Sequence, residues 1–375
     1  MARKRKYWNV QNILSRMCQY NVVFGGRSNG KTYGCLEYGL QEYFKHKSEI
    51  AIIRRMEEDF RGKRANQLFA PLVENHVIEK LSKGKYNSVK YYSQRWYLQH
   101  IEDKKENCFT DDTPFAYAFA LSSMEHDKSS SYPKVRTIIF DEFLTRNIYL
   151  TDEFITFQNV LSTIIRDRDD AVIFMLGNTV NKFCPYFKEM GLTNIKTQEQ
   201  GTIDVYTYGD TGLRVAVEFT GHKKDNPIPE PPKKSDVYFA FNNPKLQMIK
   251  HGAWEIDIYP HLPCHYVPKD IKYMYFIKFD DELLQCEIIR VVEPETKRKV
   301  SFTYIHRKTT EIKDNDGKYL VYQEGFSPLR NYKRRITRPS TDIEKLILSF
   351  YKNDKVFYQD NDVGEIVRNY LQWSA

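Results

Sequence analysis

The sequence predicts an α/β protein: a P-loop domain on a mainly parallel sheet, a proline-rich connector, and a small α+β domain at the carboxyl end. Three observations carry that expectation. A short apolar strand, Val22-Val23-Phe24, runs into GGRSNGKT at 25–32 and then into the helix-forming stretch YGCLEYGLQEYFKH. Further along, Thr137-Ile138-Ile139-Phe140 is a strand that ends in the carboxylate pair Asp141-Glu142. From Lys272 onward the texture becomes short β-runs, YMYFIKFD, LLQCEIIRVV and KVSFTYIHR, followed by helical stretches at 341–351 and 362–373.

Strand, glycine-rich loop and helix in that order form a phosphate cradle. Gly25 and Gly30 allow turns that a Cβ would forbid, so backbone N–H groups across Gly25, Gly26, Arg27, Ser28, Asn29 and Gly30 point inward at phosphate oxygens. The following helix turns its positive end to the same place. Lys31 then reaches the β- and γ-phosphates, and the Thr32 hydroxyl ligates Mg²⁺. On the second strand, Asp141 is expected to hold the metal and Glu142 to polarise an attacking water, which predicts hydrolysis of a nucleotide and not binding alone. ATP and Mg²⁺ are the expected cofactors.

Around this centre several residues carry two readings. Tyr7, Trp8 and Gln11 precede the P-loop, where an aromatic and an amide either contact adenine or simply pack. A second strand at 49–53 ends in Arg54-Arg55, which approach phosphate or a neighbouring subunit, or are ion-paired. Residues 57–80 have the apolar spacing of a helix, 90–101 read as a hairpin, and 114–121 read as a strand. Lys128, in the polar loop 122–135, is a surface lysine or a phosphate contact. A helix at 152–165 leads to Arg166 and Arg168, either of which projects into an adjacent subunit or pairs with Asp167, Asp169 or Asp170. The strand AVIFML closes on Asn178, a γ-phosphate sensor or a turn residue.

Length and composition allow two globular domains, since one typically takes about 100–200 residues. With 27 Tyr and 23 Phe in 375 residues, each has material for a core. The net charge of +8 suits a polyanionic partner, or simply a basic protein. Six scattered cysteines without a C-x-x-C pair read as reduced thiols, and His261, Cys264 and His265 among prolines read as a loop and not a metal site. No apolar run reaches the ~18–20 residues of a membrane span, and MARKRK is not followed by a signal-peptide core. A cytosolic protein with no membrane partner is expected.

In order along the chain, GGRSNGKT (25–32), AIIRR (51–55), SSMEHDKSSSYPKVRTIIFDEF (122–143), IIRDRDD (164–170) and LGNTVNKFCPYF (176–187) resemble the phi29-like bacteriophage DNA-packaging ATPases. The resemblance covers most of residues 7–190. It implies an ASCE-type P-loop domain at 1–220, a linker at 221–267, and a degenerate RNase H-like domain at 268–375. Carried over by position, Lys31 and Thr32 serve phosphate and Mg²⁺, Asp141 the metal, Glu142 the water, and Arg166 acts as a finger in trans; Lys128 and Arg54 are further carry-overs. The family implies a pentameric ring in the host cytoplasm, transiently on a procapsid portal, pumping double-stranded DNA with or without a structural RNA.

The last domain matches more loosely. Asp280, Asp281 and Glu282 read as an acidic hairpin turn, with no second or third carboxylate evident on later strands. The basic run Lys333, Arg334, Arg335 and Arg338 suits nucleic-acid phosphates or an acidic portal surface. Two other functions remain open: a terminase-like nuclease-motor and a nucleotide-controlled portal-binding scaffold.

Overall fold

The computed structural model describes residues 8–102, 108–126, 131–147, 149–221, 253–254, 257–292, 297–312 and 317–375. The chain divides into two compact units, Met1–Glu255 and Ile256–Ala375.

The first unit is a nine-stranded sheet with helices on it. Its elements are α1 (Val10–Leu14), β1 (Tyr20–Gly25), α2 (Lys31–His46), β2 (Glu49–Arg54), α3 (Lys63–Gln67), α4 (Ala70–Glu74) and α5 (Val77–Leu81). Then come β3 (Ser88–Tyr92), β4 (Arg95–His100), β5 (Phe109–Ala120), β6 (Val135–Asp141), α6 (Glu153–Ile165), β7 (Val172–Asn178), α7 (Pro185–Glu189), β8 (Thr202–Tyr208) and β9 (Leu213–Thr220). The order across the sheet is β3-β4-β5-β2-β6-β7-β1-β9-β8. From β5 through β9 every neighbouring pair is parallel, and antiparallel hairpin strands flank both sides.

The apolar runs that announced β1, β2 and β6 are unbroken because both faces of these strands are covered. Alternate residues divide between the two layers. Ile50 and Ile52 pack with Leu36 and Leu40 of α2, whereas Ala51 and Ile53 pack with Phe140 and with Phe157 and Val160 of α6. Gly39 lets α2 sit tightly on the sheet, since a Cβ there would come within 2.8 Å of Ile50 Cδ1.

The helical stretch expected at 57–80 is a 3₁₀ turn at Glu57–Phe60 followed by three short α-helices. Gly62 and His76 take positive φ (60° and 57°), and Pro71 opens α4, so the apolar spacing survives while the helix is interrupted. The β3–β4 hairpin turns through Ser93 and Gln94, both at positive φ (49° and 59°), the hand that matches strand twist. Trp254 lies in the stretch expected as linker, yet its ring sits 5.2 Å from Phe24 and 6.1 Å from Phe219 in the core of the first unit. No helix among the described residues is long and apolar enough to cross a membrane.

The second unit begins with a meander, β10 (Ile271–Phe279), β11 (Glu282–Val292) and β12 (Lys299–Arg307), all antiparallel. Asp280 and Asp281 make its first turn, both at positive φ. β13 (Leu320–Gln323) then adds parallel to β10, and β14 (Tyr332–Lys333) parallel to β13. Helix α8 (Asp342–Lys352), strand β15 (Val356–Tyr358) and helix α9 (Asn361–Trp373) complete it. Both helices are capped by side chains: Thr341 accepts from the Glu344 amide and Asp360 from the Val363 amide.

On this sheet, Glu287 gathers donors. Tyr266 Oη donates to it at 2.6 Å, Gln285 Nε2 at 2.6 Å, and His306 Nε2 lies 3.5 Å away. The Glu287 contact raises the imidazole above its ordinary 6.5. Burial alone would raise the Glu287 carboxyl, but these donors hold it below 4.5. The stability due to His306 is therefore full below pH 6.5 and is lost as pH rises through its raised folded value. That due to Glu287 is full above pH 4.5 and is lost as pH falls through its lowered value. Melting temperature against pH is expected to show this contribution, at most about 1 kcal/mol for a partly exposed pair, peaking between those limits. His306→Gln should remove the alkaline-side loss; an unchanged profile would discard the assignment.

Candidate active site

The carboxyl ends of β1, β2, β6 and β7 meet at one edge of the sheet, where open α/β folds place ligands. Leaving β1, the chain turns at Gly25 (φ 150°) and Gly30 (φ 92°). A Cβ on Gly25 would lie 2.0 Å from Thr220 Oγ1, so the close pass of β9 excludes any side chain there. Thr220 Oγ1 also accepts from Asn29 Nδ2 at 2.7 Å, which ties the loop to β9. Gly30 is the N-cap of α2 and offers no side-chain cap, so the first amides of this 16-residue helix are left for an anion.

Lys31 is buried under this loop. Its Nζ donates to Gly26 O (2.8 Å), Asn29 Oδ1 (3.2 Å), Gly25 O (3.4 Å) and Asn178 Oδ1 (3.4 Å). Burial lowers the ammonium to about 8, with Asp141 opposing the shift. Asn178, the last residue of β7, thus joins the lysine.

Thr32 Oγ1 donates to Asp141 Oδ1 at 3.0 Å, while Arg54 Nη2 lies 2.6 Å from Asp141 Oδ2. The hydroxyl and carboxylate are hard oxygen donors of the kind Mg²⁺ takes, and the guanidinium already at Asp141 shows that the spot favours positive charge. Arg54 Nη1 lies 3.8 Å from Glu142 Oε2. The Glu142 side chain is 63% exposed, and its backbone is left-handed at φ 62°, a conformation that costs a non-glycine residue of order 1–3 kcal/mol.

Arg54 and Arg55 part company: Arg54 turns to Asp141 and Glu142, and Arg55 to the opposite layer, where it meets the buried Glu153. The sequence did not single out Glu153, because a glutamate at a helix start reads as an ordinary first-turn charge. Gln11 is exposed on α1. Trp8 packs on the loop and helix: its amide donates to Asn29 O at 3.0 Å and its ring faces Gly34 of α2. Tyr7 and Lys128 lie outside the described residues.

The two arginines after α6 also separate. Arg168 is folded onto its own unit: its guanidinium donates to Val135 O, Tyr132 O, Ile164 O and Ile165 O and pairs with Asp170 at 3.0 Å. Arg166 caps α6 at φ 52° and is exposed.

In the second unit the basic run is partly engaged. Lys333 Nζ is 3.5 Å from the buried Glu344, Arg334 donates to Glu324 O and lies over the Trp373 ring, and Arg335 donates to Ala375 O. Arg338 is exposed. A carboxylate that sequence reading did not find on a later strand is Glu324, just past β13, whose Oε2 accepts from the Asp280 amide at 3.3 Å.

Residues 2–210 match the family described as Podovirus DNA encapsidation protein (Gp16). The DNA packaging protein of Bacillus phage phi29 is 27% identical over 187 residues, covering 49% of this chain and 50% of the relative. The chain thus spans about half the length of the curated relatives it matches. Among solved structures, the bacteriophage Phi-29 viral genome packaging motor assembly superposes with a TM-score of 0.53 at 17% identity, over 97% of this chain and 96% of that one. The Phi-28 gp11 DNA packaging motor does so with a TM-score of 0.50 at 21% identity, over 98% and 96%. At these identities the structural likeness establishes a shared fold.

Proposed function

Because the chain belongs to the Podovirus DNA encapsidation protein (Gp16) family, we propose that it is an ATP-hydrolysing motor that drives double-stranded DNA into a viral procapsid. The observation that carries this reading is the convergence of Lys31, Thr32, Asp141 and Asn178 within hydrogen-bonding distance at the sheet edge, with Glu142 next in the chain. ATP with Mg²⁺, when bound, supplies the phosphoanhydride and neutralises its charge. The P-loop amides and Lys31 then hold phosphate oxygens, Thr32 and Asp141 hold the metal, and Asn178 senses the terminal phosphate. Glu142 orients water and accepts its proton. Arg166 serves a neighbouring site in a ring, for which five subunits is the expected number.

The same reading puts the protein in the infected host cell, on the procapsid portal during packaging, with a structural RNA as a further possible partner. The second unit is read as RNase H-like, supported by three antiparallel strands extended in parallel by β13 beside β10 and β14 beside β13, and as a binder of nucleic acid or portal through Arg334, Arg335 and Arg338. Lys333, paired with Glu344, is a support for that surface.

The test is ATP turnover by the purified protein, alone and with empty procapsids and DNA. Stimulation by procapsids and DNA is expected, and Lys31→Ala should lose nucleotide binding or turnover. Turnover that ignores both partners would favour a nucleotide-controlled scaffold, and plasmid cleavage in Mg²⁺ would favour a nuclease-motor.

A further inference from the structure

β2 ends in two arginines that reach opposite layers of the sheet. Alternation continues from Ile50 and Ile52 on the α2 side, and Ala51 and Ile53 on the α6 side, through Arg54 and Arg55. Arg54 thus meets the side chains of Asp141 and Glu142. Arg55 meets the backbone just beyond them: Nη1 donates to Glu142 O at 3.3 Å and Nη2 to Phe143 O at 2.7 Å.

The rest of the Arg55 guanidinium is gripped by Glu153, the first residue of α6. Nε lies 2.8 Å from Oε2 and Nη2 2.9 Å from Oε1, a two-pronged pair with the Arg55 side chain 11% and the Glu153 side chain 0% exposed. Glu153 is saturated further by Tyr186 Oη at 2.9 Å and the Leu150 amide at 2.8 Å, and the Tyr149 ring covers the guanidinium at 4.9 Å. From the other side, the Phe143 amide donates to Leu176 O of β7 at 3.1 Å. A buried ion pair adds little net stability. This one spends two of its donors on the carbonyls that follow the strained φ of Glu142.

We propose that the Arg55–Glu153 pair is a positioning clamp that holds the backbone of Glu142 in its left-handed conformation and fixes it to the start of α6. Arg55 does not touch the reacting groups. It acts through the carbonyls of Glu142 and Phe143, so its loss frees the carboxylate to leave its place while the phosphate cradle, on the other side of the sheet, is left intact. The inference rests on the reading of Glu142 as the residue that activates water.

The discriminating variant is Arg55→Met with Glu153→Met, which exchanges a buried ion pair for apolar side chains, a replacement proteins often tolerate, but removes the two donors. Stimulated kcat is expected to fall by about 10²-fold, the effect of misplacing a catalytic group by about 1 Å, with KM and nucleotide affinity unchanged. Hydrogen exchange at the Phe143 amide should accelerate in the same variant. Glu153→Gln, which leaves the Arg55 carbonyl donors in place but loosens their anchor, should keep more of the rate than the double variant. A double variant with wild-type kcat and unchanged exchange at Phe143 overturns the clamp while leaving the ATPase assignment standing. So does a variant that loses nucleotide affinity and kcat together with its melting temperature, since that marks a general structural role. If the wild-type protein itself hydrolyses no ATP, the assignment of function falls, and exchange at Phe143 alone decides whether Arg55 holds this backbone.

Discussion

Alanine at Arg166 is expected to reduce stimulated ATP hydrolysis by about 10³–10⁵, the range that an arginine finger contributes elsewhere. The motive is positional: Arg166 is the exposed C-cap of α6, whereas Arg168 two residues later is consumed by four carbonyls and Asp170. Arg168→Ala should therefore lower the melting temperature, because it removes the donor from partly buried carbonyls, and leave turnover per folded molecule near wild type. Mixing supplies the test of action in trans. Arg166→Ala subunits keep Glu142, and Glu142→Gln subunits keep Arg166, so some mixed interfaces contain both intact groups and should recover activity. If no mixture exceeds the sum of its components where rings form, Arg166 does not act across the interface.

Glu142→Gln is expected to bind nucleotide as the wild type does and to lose about 10²–10⁴ in hydrolysis, because an amide cannot take up the proton of water. The substitution is nearly isosteric and leaves the Thr32–Asp141 contact and the Lys31 bonds untouched, so affinity and rate should separate cleanly. Single-turnover measurements with bound ATP check it. Wild-type cleavage by the glutamine variant would take the base role away from Glu142 and redirect attention to Asp141.

Local signals revealed the centre of this site. Gly25 to Thr32 and Asp141-Glu142 are adjacent in sequence within each motif, and the strands that carry them are apolar on both faces, so period and composition agree. The layer beneath was not legible. Arg55 and Glu153 are distant in the chain, and each alone looks like a surface charge; only the fold brings them together and buries both. The same holds for Glu324, whose approach to Asp280 depends on β13 adding beside β10. The helix expected at 57–80 failed for a different reason. Apolar spacing reports which side faces the core, and it is blind to the positive φ of Gly62 and His76 that cut the helix into pieces. The β8–β9 hairpin went unseen although TIDVYTY and LRVAVEFT are both rich in strand-forming residues.

Arg54 beside Asp141 and the carbonyl and amide bonds of Lys31 have a common consequence for any phosphate ligand at this edge. The negative carboxylate and the buried ammonium are each solvated by the protein's own groups. An arriving phosphate therefore exchanges existing bonds for new ones, and only their difference appears as affinity. The same exchange runs backwards when product leaves, because the vacated charges close on their own neighbours and are not stranded in a dry pocket. For the proposed motor, a site whose charges are neutralised by its own groups limits tightness and so favours release.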